Sequence, residues 1–422
     1  MGKPRDYDKC NRKPSRLTRN GIKRLLISAV TPSQPLAVLP EELIAEILLR
    51  LPARNLVRLR SVCRSWRTLI SSSQFANEHV RRLIAADPSL SDPRVAYNHP
   101  CWVFGRYKRF GDFSVRSLLE NPTEPAEVRR FEGRLSNYII GSCNGLLCLL
   151  ESFGMKSRVM LWNPCTGLAS PSLEIQGFLS VYGFGYDHVN DKYKLCKIEY
   201  QGQKQKPKPH RYTIRIYTFC PNPSWRTIQV QDIPGNSISG KRRGVFVPDT
   251  ATLNSIRSHE TTLDCFVLSL DLVKESFSEF SLPYKGPDNE TIVQELCVLR
   301  NCLAVCFKHQ ETSWSVWLMK EYGVTQSWTK LAVIPCHPRG DYFKPLCVWG
   351  NDVLVAVASS SKMVLYNLND GSFEFPVIDN SILEPTLDCF LEPSFHIYHE
   401  SLVSPSHRVL RSSSSQMLLI KP

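Results

Sequence analysis

A short unit recurs through the second half of this chain: an apolar run, a polar turn and a closing aromatic. It runs from Ile216-Tyr217 to Trp225, from Leu268 to Phe277, from Val316-Trp317 to Trp328 and from Leu365-Tyr366 to Phe373. The closing aromatics stand 52, 51 and 45 residues apart, and Leu161-Trp162-Asn163-Pro164 leading to Leu168 reads as an earlier copy. A unit of this size cannot bury its apolar face alone; stacking copies radially buries it and also removes the open sheet edges. From about residue 135 onward helical spacing disappears. Runs such as Tyr138–Ile140, Gly145–Leu150, Val159–Trp162, Tyr193–Ile198, Cys302–Phe307 and Met363–Leu368 alternate with Gly, Pro, Asn and Asp turns, the pattern of an all-β region. The expectation is a propeller-like domain of roughly six blades, with Trp162, Tyr182, Trp225, Trp317 and Trp328 as blade-packing residues rather than ligand platforms.

The N-terminal part follows a different period. Leu43, Ile44, Ile47, Leu48 and Leu51 fall on one face of a helix. Pro40 suits its first turn, Glu41 and Glu42 favour the positive end of the helix dipole, and Pro52 is expected to stop it. Leu56, Leu59, Val62, Cys63, Trp66, Leu69 and Ile70 continue at intervals of three or four, with arginines mostly between them. So small a helical bundle buries too little surface to be robust alone, so it must pack on its neighbour or bind a partner.

The order Leu39-Pro40-x-Glu42-Leu43-Ile44-x-Glu46-Ile47-Leu48-x-Arg50-Leu51-Pro52, then Leu56, Arg58, Val62-Cys63-Arg64-Ser65-Trp66-Arg67 and Leu69-Ile70-Ser71, resembles the F-box. Leu59 and Ser61 stand where plant members often carry Phe and Cys. The resemblance implies docking onto the Skp-type adaptor of a cullin-based ubiquitin ligase. Its candidate contacts are Leu39, Pro40, Leu43, Ile44, Ile47, Leu51, Pro52, Cys63 and Trp66. Leu56, Val62 and Leu69 are expected to hold the helices together instead.

The β-region in turn resembles the F-box-associated, kelch-like domain of plant F-box proteins. The carriers include Gly141-Ser142-Cys143-Asn144-Gly145-Leu146-Leu147-Cys148, Leu161-Trp162-Asn163-Pro164, Tyr182-Gly183-Phe184-Gly185-Tyr186-Asp187, Val364-Leu365-Tyr366-Asn367 and the terminal Ser401-Leu402-Val403. Members often carry an Asn-Gly-x-x-His-Trp strand where this chain has Gly244-Val245-Phe246-Val247-Pro248-Asp249-Thr250-Ala251, so that blade is expected to be irregular, with Pro248 at an edge or bulge. The implied chain is multidomain, a small all-α F-box bundle followed by an all-β propeller-like domain. Its expected divisions are a disordered basic arm over 1–35, the F-box over 36–80, a linker and entry to the β-domain over 81–134, the β-domain over 135–405 and a flexible tail over 406–422. The resemblance implies a non-catalytic substrate receptor that brings an unidentified protein target to a ligase; a regulatory propeller in an adaptor-bound complex without ubiquitin transfer is the alternative.

Charge and cysteines narrow the classes further. Net charge is +13, and residues 1–30 hold nine basic and two acidic side chains. A basic tail without aromatics interleaved on a folded face argues against nucleic-acid binding. The basic runs Lys204 to Arg211 and Lys241-Arg242-Arg243 read as solvated loop charge. No stretch reaches the length of a membrane span, and no secretory signal is expected, which places the protein in the cytoplasm, the nucleus or both. Fifteen scattered cysteines with no CxxC pair suit a reducing compartment. Cys297, Cys302, Cys306 and His309 form the densest group, but in an apolar run where cysteine acts as a small hydrophobe, so no metal and no cofactor is expected. No nucleophile elbow, P-loop or zincin motif is present, and Asp187-His188 reads as a turn.

Overall fold

The protein is described by a computed structural model over residues 39–405, except 86–91, 100–108, 132–136, 154–155, 177–180, 202–210, 220–223, 229–243, 248–249, 259–262, 284–290, 311, 337–341, 359–361 and 379–393. The expected arm, the tail, Pro248 and the basic runs 204–210 and 241–243 lie outside the described residues. Two compact units divide the chain between Leu48 and Leu49.

Helix α1 (Glu41–Leu49), in the first unit but for its last residue, opens at Pro40, whose carbonyl accepts from the N–H groups of Leu43 and Ile44 at 3.1 Å each. The second unit begins with helices α2 (Ala53–Leu59), α3 (Arg64–Ile70) and α4 (Ser73–Ala85). Helix α1 ends at Leu49, shortly before Pro52, which also caps α2, its carbonyl accepting from Asn55 and Leu56 N–H. Extended backbone at φ −55°, ψ 142° leaves Pro52 just outside the helix it opens.

The rest of the second unit is six four-stranded antiparallel sheets. The first comprises β1 (Arg94–His99), β2 (Arg109–Ser114) and β3 (Val128–Arg130), with helix α5 (Val115–Glu120) between the last two. The second is β4 (Asn137–Cys143), β5 (Leu146–Phe153), β6 (Lys156–Trp162) and β7 (Leu173–Gln176). The third is β8 (Val181–Asp187), β9 (Lys192–Gln201), β10 (Arg211–Thr218) and β11 (Ser224–Ile228). The fourth is β12 (Gly244–Val247), β13 (Thr250–Ser258), β14 (Leu263–Asp271) and β15 (Ser276–Ser281). The fifth is β16 (Thr291–Leu299), β17 (Cys302–His309), β18 (Ser313–Met319) and β19 (Trp328–Pro335). The sixth is β20 (Phe343–Trp349), β21 (Val353–Ala358), β22 (Met363–Asn367) and β23 (Phe373–Glu374).

The last strand, β24 (Ser394–Tyr398), pairs with β1 and completes the first sheet. The innermost strands β24, β4, β8, β12, β16 and β20 each touch the next, and β20 returns to β24, so the ring closes as a six-bladed propeller. The core sits between neighbouring blades. Phe110, Phe131 and Trp162 form an aromatic cluster between the first and second, and Trp314 stacks on Phe343 between the fifth and sixth.

The repeat read from the sequence is the third and fourth strands of a blade, which bring Tyr217 opposite Trp225, Leu270 opposite Phe277 and Tyr366 opposite Phe373. The hairpins also share a turn. Asn163, Asp271 and Asn367 each use a side-chain oxygen to accept the backbone N–H two residues on, at 2.8, 2.8 and 2.9 Å.

Two expectations need correction. The β-domain begins earlier than residue 135: residues 94–130, read as part of the linker and entry to it, form three strands of a blade whose partner strand comes from the far end of the chain, which no local pattern reveals. The blade expected to be irregular has the same four-strand order as the others, with Val247 opposite Thr250 in its first hairpin.

Candidate functional site

Helix α1 carries two kinds of aliphatic residue. Leu39, Leu43 and Ile47, spaced four apart, are 50%, 50% and 53% exposed, whereas Leu48 is buried and Ile44 partly so. Within the helix, spacing of four keeps Leu43 and Ile47 on one stripe, and Leu39 lies two residues before its start. A nine-residue helix is marginal alone, and leaving three aliphatic side chains half in water forgoes roughly 1 kcal/mol each. Such a stripe suits the groove of a partner. Pro40 is exposed at its start.

The remaining candidate contacts belong to the second unit. Leu51 is partly buried, and its carbonyl lies 2.9 Å from Nε2 of buried His79 on α4. Pro52 and Cys63 are exposed, and Trp66 is partly exposed. Cys63 caps α3 through its side chain, Sγ accepting from the Trp66 N–H at 3.4 Å. Contact with the Ser65 hydroxyl, then the Trp66 N–H, holds its thiol pKa below the ordinary value.

Of the three residues expected to hold the helices together, Leu56 is fully buried and Leu69 partly so. Val62 does not share that role: at 61% exposure it points to solvent from the turn between α2 and α3. It is an apolar surface residue that helical spacing had assigned to the interior.

The β-domain uses its sequence motifs structurally. Asn144 and Gly145, with φ of 50° and 78°, turn β4 into β5. A Cβ on Gly145 would meet Ser401 Oγ at 2.3 Å and the His399 carbonyl at 2.6 Å. Asn163 Nδ2 donates to the carbonyls of Ser401 at 3.0 Å and Val403 at 2.8 Å. Two separate motifs thus converge on a third, the segment that follows the closing strand.

Trp162, Tyr182 and Trp328 are buried as blade packing; Trp225 lies partly exposed against Tyr217, and Trp317 partly exposed with Lys330 over its ring. Cys297 and Cys306 are buried between the fifth and sixth blades, and burial raises both thiol pKa values. His309 Nε2 lies 2.6 Å from Ser315 Oγ. Among the described residues no group of His, Cys, Asp or Glu is arranged to hold a metal ion. Asp187 is a turn residue, accepting from the Asn190 N–H at 3.0 Å and pairing with Lys194 at 2.9 Å. No helix among the described residues is long and apolar enough to cross a membrane.

The chain thus carries a short helical module with a half-exposed apolar stripe, followed by a closed propeller. Residues 36–77 match the F-box domain and residues 114–404 the F-box associated beta propeller domain, and the chain belongs to the F-box proteins that carry this propeller. It is 31% identical to an F-box/kelch-repeat protein of Arabidopsis thaliana, over 82% of this chain and 91% of that relative. A second Arabidopsis thaliana F-box protein is 28% identical over 74% of this chain and 77% of its own length. The Arabidopsis thaliana F-box protein CPR1 is 25% identical over 79% and 81%. The F-box domain is the part of such proteins that binds Skp-type adaptors.

Proposed function

We propose that this chain is the substrate-recognition subunit of a Skp-cullin-F-box ubiquitin ligase, working in the cytoplasm or nucleus without catalytic residues of its own. The observation that carries the reading is the half-exposed stripe Leu39, Leu43 and Ile47 inside the F-box match. Pro40, Ile44, Leu51, Pro52, Cys63 and Trp66 complete the adaptor contact set. The apolar anchors supply most of the binding energy, and surrounding contacts exclude water. A protein target held on the propeller is then kept near the charged ubiquitin carrier, and catalysis by this subunit is proximity alone.

The test is co-purification of the full chain with adaptor and cullin, followed by a comparison of protein abundance with and without the chain. Recovery of both partners, together with proteins that accumulate when the chain is deleted, is the expected result. Recovery of the adaptor with no accumulating protein would favour a regulatory propeller that transfers no ubiquitin. Failure to recover the adaptor contradicts both.

A further inference from the structure

Three guanidinium groups converge on one carboxylate where the propeller closes. Glu400 follows β24, and its Oε1 accepts from Arg54 Nη2 of helix α2 at 2.8 Å. Arg129 Nη2 of β3 and Arg94 Nε of β1 approach the same oxygen at 3.5 and 3.8 Å. Beneath them, fully buried Asp112 accepts from Arg94 Nη2 at 2.8 Å and Arg129 Nε at 3.0 Å, and also from the Tyr398 hydroxyl. Burial alone would raise the Asp112 pKa, but hydrogen bonds and charge from Arg129 and Arg94 hold it below the ordinary value. Burial would lower the Arg94 pKa, and Asp112 more than offsets it. Asp112, Arg94 and Arg129 are therefore charged.

All its members but one belong to the closing blade and the segment after it. Arg54 is the exception, contributed by the helical module. Its side chain is 39% exposed against 15% for Glu400. A pair this open adds little stability. What it adds is direction, because Glu400 is already held by two arginines that Asp112 fixes from below. The start of α4 reaches the same end of the propeller. There Ser71–Ser73, Ala76 and Asn77 line a cavity of about 170 Å³ with Tyr193 and Leu402.

We propose that Arg54 is a positioning residue: its pairing with Glu400 fixes the angle between helices α2–α4 and the propeller, so that a target is presented in one orientation. The inference rests on the adaptor-docking reading, since α2–α4 carry the Pro52, Cys63 and Trp66 side of that surface. It also makes presentation depend on ring closure, because Glu400 reaches Arg54 only when β24 is seated against β1.

The test measures distances between spin labels at Gln74 on α4 and Lys320 beyond β18, both exposed, in the full chain with and without adaptor. The described residues include ten free cysteines, so the labels are introduced as non-natural amino acids rather than through thiols. A single narrow distribution is expected for the wild type and for Arg54→Lys, and a broadened or shifted one for Arg54→Met. Glu400→Gln should broaden it similarly, and the double variant should be no broader than either single one. Adaptor affinity should change less than about twofold throughout, as neither residue lies in the docking set. An unchanged distribution in Arg54→Met, or additive broadening in the double variant, overturns the proposal. Wild-type chain that fails to bind adaptor contradicts the docking reading instead, and the distance result still decides the role of Arg54.

Discussion

Helix α1 and strand β5 are both rich in leucine, yet their side chains meet opposite fates. Along α1 and just before it, Leu39, Leu43 and Ile47 recur every four residues and stay half exposed. Along β5 the apolar residues are consecutive, and Leu146, Leu147, Cys148, Leu149 and Leu150 are all buried. A strand inside a blade has a neighbouring blade or sheet layer against each face, so both sets of alternating side chains find partners. The propeller buries its apolar faces within itself; helix α1 leaves part of its own exposed. On the proposed reading stability belongs to the first region and recognition to the second, and substitutions should separate the two.

The largest expected effect is on the propeller. Gly145→Ala places a Cβ against Ser401 and the His399 carbonyl at a residue with φ of 78°. It should cost about 3 kcal/mol in denaturant unfolding of the β-domain while leaving adaptor affinity unchanged. A loss well under 1 kcal/mol would show that the Ser401 segment gives way easily. Leu56→Ala comes next, a fully buried side chain whose removal should cost roughly 3 kcal/mol. Val62→Ala should cost less than about 0.5 kcal/mol because Val62 stands in water. Equal costs for the two would erase the boundary between packing and surface within the F-box.

Much of this was legible in the chain. The apolar spacing of α1 marks the helix, although it set buried Leu48 on one face with exposed Leu43 and Ile47, and the run-turn-aromatic unit marks the outer half of the third to sixth blades. Val62 was misassigned because helical spacing was carried across Arg60–Cys63, where the chain turns between two helices. The closing blade was missed for another reason. Tyr398 and Asp112, hydrogen-bonded in its core, are 286 residues apart, and its outermost strand β3 is only three residues long. The Arg54–Glu400 pair spans 346 residues and is invisible to any local period.

The smallest effect is a pH dependence. Burial holds the His79 pKa below its ordinary 6.5, with the Leu51 carbonyl partly opposing it. Because the folded value is depressed, the contribution of neutral His79 is fully present above the unfolded pKa and lost as pH falls through the folded value. Wild-type stability should therefore decline more steeply than that of His79→Gln as pH drops below 6.5. Parallel curves would remove His79 from the set of groups that set the acid limit.

The central claim, that the stripe on α1 is a binding face and not a packing face, is tested most directly by titrating adaptor against the full chain and against Leu43→Asp with Ile47→Asp. Two carboxylates in a groove meant for aliphatics should weaken binding by about a hundredfold or more, with the β-domain unfolding transition unmoved. Unchanged affinity, or lost affinity accompanied by a destabilised β-domain, would contradict it.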